Sequence, residues 1–193
     1  MKIGITGSSG LIGSLFIMKY GHDYDLIQFS GDMTDFEAVN KFMKIDFDIV
    51  FHLASVIPKY DINGMPLDQS FSSNIVGTKN IAKTASKFNT KVIFTSTQRV
   101  YENKNQLKIT EEDKLKPADK DEYGESKLES EQIIQNFLKP GNFVILRISN
   151  IYGTSPVRFS IIDSIAKSLV VDKEVKIGLN PKILRDYIHI DDL

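Results

Sequence analysis

Five short stretches of this chain are nearly continuous in Ile, Val, Leu and Phe: residues 2–6, 25–29, 48–53, 91–95 and 143–148. Runs of this length without strict alternation have the character of strands covered on both faces. Between them, residues 11–20, 36–43, 70–88 and 123–138 carry apolar positions at helical spacing. Strand–helix alternation of this kind predicts right-handed crossovers and an α/β fold, a doubly wound parallel sheet with helices on both sides. In such a sheet the ligand crevice opens at the carboxyl ends of the strands. Residues 102–121 are polar and read as a long surface loop ahead of a helix, a length that suits a site-covering segment. The chain holds no internal repeat and no low-complexity tract.

Bulk properties narrow the function classes. At 193 residues the chain can bury one good core and is read as a single domain. A formal net charge of -1 gives no electrostatic reason to expect nucleic acid or an anionic membrane as a partner. Cysteine is absent, which excludes a disulfide framework, a thiolate nucleophile and a Cys-based metal site. Residues 1–7 enter the strand pattern directly without a charged leader or apolar core, and no apolar run approaches the length of a membrane span. A cytoplasmic location is the default expectation.

The first turn carries the first chemical signal. Thr6, Gly7, Ser8, Ser9, Gly10, Leu11, Ile12 and Gly13 lie where the first strand ends and the first helix begins. Glycines at 7, 10 and 13 permit a tight turn, close backbone approach to a pyrophosphate and close helix–strand packing. The amide groups and positive dipole end of the new helix then face the phosphates. A Gly-rich turn can also be merely structural, but here strand and helix flank it as a dinucleotide site requires.

The spacing Thr6, Gly7, Gly10, Gly13 resembles the TGxxGxxG signature of the extended short-chain dehydrogenase/reductases, the family of nucleotide-sugar epimerases and dehydratases. Further segments resemble that family in its own order. Residues 31–35, GDMTD, resemble a segment whose first Asp, here Asp32, contacts the adenine, with Met33 beside it. Residues 51–54, FHLA, resemble a strand end packed by the dinucleotide, which implicates Leu53 and Ala54. Residues 74–78, NIVGT, resemble the N-x-x-G-T helix segment that begins at Asn74. Residues 146–153, LRISNIYG, resemble LRxxNxYG, whose Asn, here Asn150, lies near the sugar-nucleotide phosphates. Residues 185–192, RDYIHIDD, resemble a stretch whose Arg, here Arg185, reaches the substrate diphosphate. The likeness covers essentially the whole chain. It implies a Rossmann-type fold, with Gly7, Ser9, Gly10, Leu11, Ile12, Gly13, Asp32, Met33, Leu53, Ala54, Asn74 and Lys127 toward the cofactor.

Tyr123 and Lys127 form a Tyr-x-x-x-Lys pair, whose spacing of four puts both side chains on one face of a helix. A phenol with a pKa near 10 is only about 0.1% ionised at neutral pH, and a three-unit drop corresponds to about 4 kcal/mol. A neighbouring ammonium and a positive nicotinamide ring favour phenolate. Tyr123 would then exchange a proton with the substrate oxygen while hydride moves at the adjacent carbon, and Lys127 would also bond the nicotinamide ribose. Residues 94–101, FTSTQRVY, resemble the family's strand end, in which the hydroxyl at Thr97 orients the reacting oxygen. The resemblance thus implies a Thr97, Tyr123, Lys127 triad, with Thr97, Asn150 and Arg185 toward substrate.

Departures from the family matter. Dehydratases of this type carry an Asp-Glu pair after the Thr, as acid and base for water elimination; Gln98 and Arg99 stand here and argue against that reaction. Glu102 replaces the Gly that usually follows Val-Tyr. Gln28, Phe29 and Ser30 lack the acid that holds a ribose 2′-hydroxyl, and the first Arg of the chain is Arg99, so NAD and NADP both stay open with a slight lean to NAD. No metal is expected, since His52 and His189 fall at packing positions without ligand spacing. Lys59 could touch substrate or be a solvated loop lysine, and the charged run from Lys104 to Glu122 reads as a solvated loop.

Three functional readings follow. The leading one is an NAD(P)-dependent oxidoreductase or isomerase on a nucleotide-diphosphate sugar, a 4-epimerase first and a 4-keto-sugar reductase second. Another class is a non-catalytic NAD(P)-sensing module, although such proteins typically lose the Tyr-x-x-x-Lys pair. A steroid- or flavonoid-type reductase is opposed by Asn150 and Arg185, which suit a diphosphate. The family's catalytic helices often pair into a homodimer. Relatives also continue for roughly a hundred residues past the RDYIHIDD segment, into a small domain that closes over the sugar. The reading therefore expects a chain shortened before that domain, with residues 191–193 as the first turn of a cut helix and sugar binding weakened.

Overall fold

The computed structural model describes residues 1–59, 71–102, 108–153, 160–171 and 184–193. In chain order the main elements are β1 (Lys2–Thr6), α1 (Leu11–Tyr20), β2 (Asp25–Gln28), α2 (Phe36–Met43), β3 (Ile49–His52), α3 (Ser72–Phe88), β4 (Lys91–Thr97), α4 (Glu122–Phe137) and β5 (Phe143–Ile148). The five strands form one sheet in the order β2-β1-β3-β4-β5, and every neighbouring pair is parallel. This is the α/β architecture expected from the alternation of apolar runs and helical segments.

Local chemistry explains the boundaries. Asp35 caps α2 by accepting hydrogen bonds from the amides of Glu37 and Ala38. Asn89 ends α3 in the left-handed region at φ 54°, a conformation Asn tolerates better than most residues. β4 runs through Thr97 rather than stopping at residue 95, because its pairing with β5 continues from Val92 to Thr97. Phe29 falls outside β2, and its ring packs edge-on against Phe42 with centroids 5.3 Å apart. The expected helix start at residue 70 and residues 103–107 of the expected loop lie outside the described residues.

Alternation along the strands divides the core. Val50, Val92 and Phe94 face α2, α3 and α4, packing with Val39, Ile81 and Ile134. On the opposite face α1 lies against the sheet, with Phe16 edge-on to Phe51 at 4.9 Å. A groove of about 450 Å³ remains there, lined by Ile12, Phe51, Ile93 and Leu146 among others. The outer positions of β5 are consequently open: Val144 is 51% and Leu146 36% exposed, although their sequence reads as a strand covered on both faces.

Three further elements lay outside the sequence reading. β6 (Asn150–Tyr152) and β7 (Tyr187–His189) pair in parallel, and α5 (Ile161–Val170) starts from a Ser160–Asp163 capping box. Residues 190–192 form a 3₁₀ turn rather than a first α-helical turn, with the His189 ring accepting from the Asp191 amide. No helix among the described residues is long and apolar enough to cross a membrane.

From β1 the chain passes to β2 on one side and then returns to β3 on the other. The reversal leaves a crevice outside the carboxyl ends of β1 and β3, where open parallel sheets bind ligands.

Candidate functional site

The glycine turn sits at that crevice. Gly7 has φ 73°, and a Cβ there would lie 2.6 Å from the Ala54 nitrogen and 2.7 Å from the Leu53 carbonyl carbon. A Cβ on Gly13 would meet the Gly7 carbonyl oxygen at 2.4 Å. These two residues must therefore be glycine for α1 to begin hard against β1 and β3. Gly10 is the N-cap of α1, which has no side-chain cap and no acid in its first turn. The first amides of α1, those of Leu11 and Ile12 among them, are thus left for an anionic group, with Ser9 and Gly10 exposed above them. This cradle fits a dinucleotide pyrophosphate.

Behind the cradle the strand ends are tied together. The Ala54 amide donates to Thr6 Oγ1, which also bonds His52 Nδ1 at 2.8 Å, while His52 Nε2 bonds Thr78 Oγ1 at 3.0 Å. Burial, reinforced by the Lys127 charge, pushes His52 down to about 3, so its ring is a neutral packing element. Leu53 lines the groove beneath α1 with Ile12. Asn74 clamps the chain after β3: the Val56 amide donates to its Oδ1 and its Nδ2 donates to the Val56 carbonyl, at 2.7 and 3.0 Å. Asp32 is exposed and accepts from both the amide and hydroxyl of Thr34, bonds that hold its carboxyl below the usual range. Met33 packs against Gly77, where a Cβ would come within 2.8 Å of its own Cβ.

A second group forms where α4 meets β4. Tyr123 stands in the first turn of α4, half-buried, with its ring 5.7 Å from that of Phe71 and the Arg99 guanidinium 5.3 Å from its centroid. Lys127, one turn on, is 2% exposed. Its Nζ donates to the Thr95 carbonyl at 2.7 Å and lies 4.5 Å from the Phe94 ring centroid. Burial pushes this ammonium down to about 7, against the opposing pull of Glu131. Thr97 ends β4, buried, and its hydroxyl accepts from the Arg99 amide at 3.4 Å.

The fold also brings in residues that sequence reasoning passed over. Glu131 is 1% exposed, accepts from the Ser96 hydroxyl, and takes Nε and an outer nitrogen of Arg147, the latter at 2.8 Å. Arg147 also donates to the Tyr101 hydroxyl and the Glu111 carbonyl, pinning the described part of the long loop to β5. The signal for Glu131 was its place four residues after Lys127, which reads as a surface helix pair until the sheet covers it. Asp121 corrects the reading of the 104–122 run as simply solvated. Its side chain is 10% exposed, accepts from the Gly124 amide, and pairs with both Arg99 Nε and an outer nitrogen at 2.7 and 2.6 Å.

Asn150 and the 185–186 segment do meet, since Asn150 Nδ2 donates to the Asp186 carbonyl at 2.9 Å. Arg185 is exposed beside them. Lys59 has an interaction partner. Among the described residues no cluster of three His, Asp or Glu side chains is placed to hold a metal ion.

Comparison with known proteins bears on the family and the fold. The chain is 28% identical to a dTDP-D-glucose 4,6-dehydratase of Dictyostelium discoideum, with 100% of the chain and 53% of that protein aligned. It is 29% identical to a UDP-glucose 4-epimerase of Caenorhabditis elegans over 84% of the chain and 52% of that protein. The chain thus spans about half the length of these curated relatives. The crystal structure of a UDP-glucose 4-epimerase from Thermotoga maritima with UDP-glucose superposes with a TM-score of 0.81 at 22% identity, covering 100% of this chain and 70% of that one, which shows a shared fold. Residues 3–193 match the NAD dependent epimerase/dehydratase family, and the chain belongs to that family.

Proposed function

We propose that this chain carries the cofactor-binding and proton-transfer half of an enzyme that acts on a nucleotide-diphosphate sugar, a 4-epimerase in the first instance. The observation that carries the reading is the docking of the Tyr123–Lys127 face of α4 on the end of β4, on the same sheet whose β1 and β3 end in the glycine cradle. Gly7, Gly10 and Gly13, with the first amides of α1, would hold the pyrophosphate; Asp32, Met33, Leu53, Ala54 and Asn74 would line the rest of the dinucleotide site. When bound, the nicotinamide ring supplies a reversible hydride acceptor. Tyr123 removes and returns the proton at the sugar hydroxyl, Thr97 orients that oxygen, and Lys127 favours the phenolate from one helical turn away. Asn150 and Arg185 would bind the diphosphate.

Epimerisation is favoured over water elimination because the positions after Thr97 hold Gln98 and Arg99, and Arg99 is engaged by Asp121. Single reduction of a 4-keto sugar uses the same residues and is the second reading. NAD is favoured over NADP because the first Arg in the chain is Arg99, far in sequence from the end of β2.

The test is binding of NAD and NADP, followed by turnover with UDP- and dTDP-linked sugars. Redox-neutral interconversion of two sugars supports the epimerase, and net NAD(P)H consumption with a keto sugar supports the reductase. Tyr123→Phe should abolish either while cofactor binding persists. Turnover undiminished in that variant would remove Tyr123 from the chemistry, and cofactor binding without turnover on any nucleotide sugar would favour a sensing module.

A further inference from the structure

Arg99 joins the two segments that carry Thr97 and Tyr123. Its own amide donates to the Thr97 hydroxyl at the end of β4. Its guanidinium makes a two-point pair with the Asp121 carboxylate, a group only 10% exposed. Asp121 in turn caps α4 through the Gly124 amide, and the guanidinium lies 5.3 Å from the Tyr123 ring centroid. The planar fork serves both contacts: the guanidinium lies over the ring while its edge engages the carboxylate. The packing is close, since a Cβ on Gly124 would sit 2.9 Å from an Asp121 carboxylate oxygen and 3.0 Å from the Arg99 carbonyl oxygen.

We propose that Arg99 is a positioning residue for Tyr123, a fork that locks the start of α4 to the end of β4 and masks the Asp121 carboxylate from the phenol. The inference rests on Tyr123 as the proton-transfer residue of the preceding section. Among the described residues, the charged groups set near that ring include Arg99 from the turn after β4, 5.3 Å from its centroid, and Asp121 at the helix cap, while Lys127 follows one turn along the helix. Phe71, ahead of α3, contributes no charge, and Glu122 and Glu125 of the first turn are exposed to solvent. The two partners of the fork act on the phenolate with opposite sign. Loss of the guanidinium removes a cation and uncovers an anion; loss of the carboxylate charge uncovers a cation.

The experiment is an NMR titration of the Tyr123 phenol in protein labelled with ¹³C at tyrosine Cζ, the resonance being assigned by Tyr123→Phe. Arg99→Ala should move the titration midpoint upward, lowering the phenolate fraction at a fixed pH by about threefold to tenfold. Asp121→Asn keeps a carbonyl oxygen for the Gly124 amide and should move it downward. Arg99→Lys keeps the charge without the fork, and should hold the midpoint nearer to the parent while broadening the Tyr123 resonance. Shifts of the same sign in Arg99→Ala and Asp121→Asn, or no shift in either, overturn the proposal. The titration needs no substrate, so it reads Arg99 even if the nucleotide-sugar assignment fails. Conversely, full turnover in Tyr123→Phe would sink that assignment and leave the titration result standing.

Discussion

Lys127→Met tests the central energetic feature of the site. The lysine is 2% exposed, hydrogen-bonded to the Thr95 carbonyl, and pushed from 10.5 down to about 7 by burial. A depression of that size corresponds to about 4 to 5 kcal/mol against the charged form in the folded state. Methionine has a similar volume and no charge, so the substitution removes this burden near pH 7. It also leaves the Thr95 carbonyl without its donor, which costs about 1–3 kcal/mol. The balance at pH 7 is a gain of about 1–3 kcal/mol, or several degrees in Tm for a chain of this size. The pH dependence is more diagnostic than the magnitude. The unfolded chain holds the lysine proton up to about 10.5 and the folded chain only up to about 7. Between those values the unfolded state binds more protons, so parent stability rises with pH across the window. The variant lacks that rise; it should be the more stable protein at pH 7 and the less stable one at pH 10. Denaturant unfolding at several pH values from 6 to 10.5 measures both. A stability difference that stays constant over that range would refute the reasoning, because it would mean that the lysine is solvated in the folded state. Under the proposed function the stabilised variant should also be catalytically dead.

Other consequences are equally accessible. Glu131→Ala leaves Arg147 without its carboxylate and should cost about 3–5 kcal/mol, seen as a lowered denaturation midpoint. Gly13→Ala should abolish dinucleotide binding in calorimetry by driving α1 away from the Gly7 carbonyl, whereas Gly141→Ala, at φ 91° with no neighbour within 4 Å of its Cβ, should lose only stability. His52 is depressed to about 3, so its contribution is present above about pH 6.5 and is lost as pH falls toward 3; His52→Gln should flatten that part of the acid-unfolding profile.

Much of this molecule is legible along the chain. The strand and helix order, the glycine cradle and the Tyr123–Lys127 pair depend on local rules: side-chain period, permitted φ and helical spacing. These operate within a few residues, and each recurs in the structure close to where the pattern puts it. The packing role of His52 was also legible, through the resemblance of residues 51–54 to a strand end, and its ring is buried. β6, β7 and α5 were not: the two strands are three residues each, and they pair residues as remote in sequence as Asn150 and Tyr187.

Tertiary structure decided the electrostatics. Glu131 and Arg147 are ordinary surface-type residues in one dimension, and only the packing of α4 on β4 and β5 removes them from water and forces them together. Asp121 sits in a polar, charged stretch that reads as solvent-facing, yet a residue 22 positions earlier supplies the cation that makes it part of the site. The exposure of Val144 and Leu146 on β5 is likewise invisible in an apolar run that would look the same with a helix above it. Charge energies depend on distance and solvent exclusion, and both are properties of the assembled fold rather than of sequence spacing.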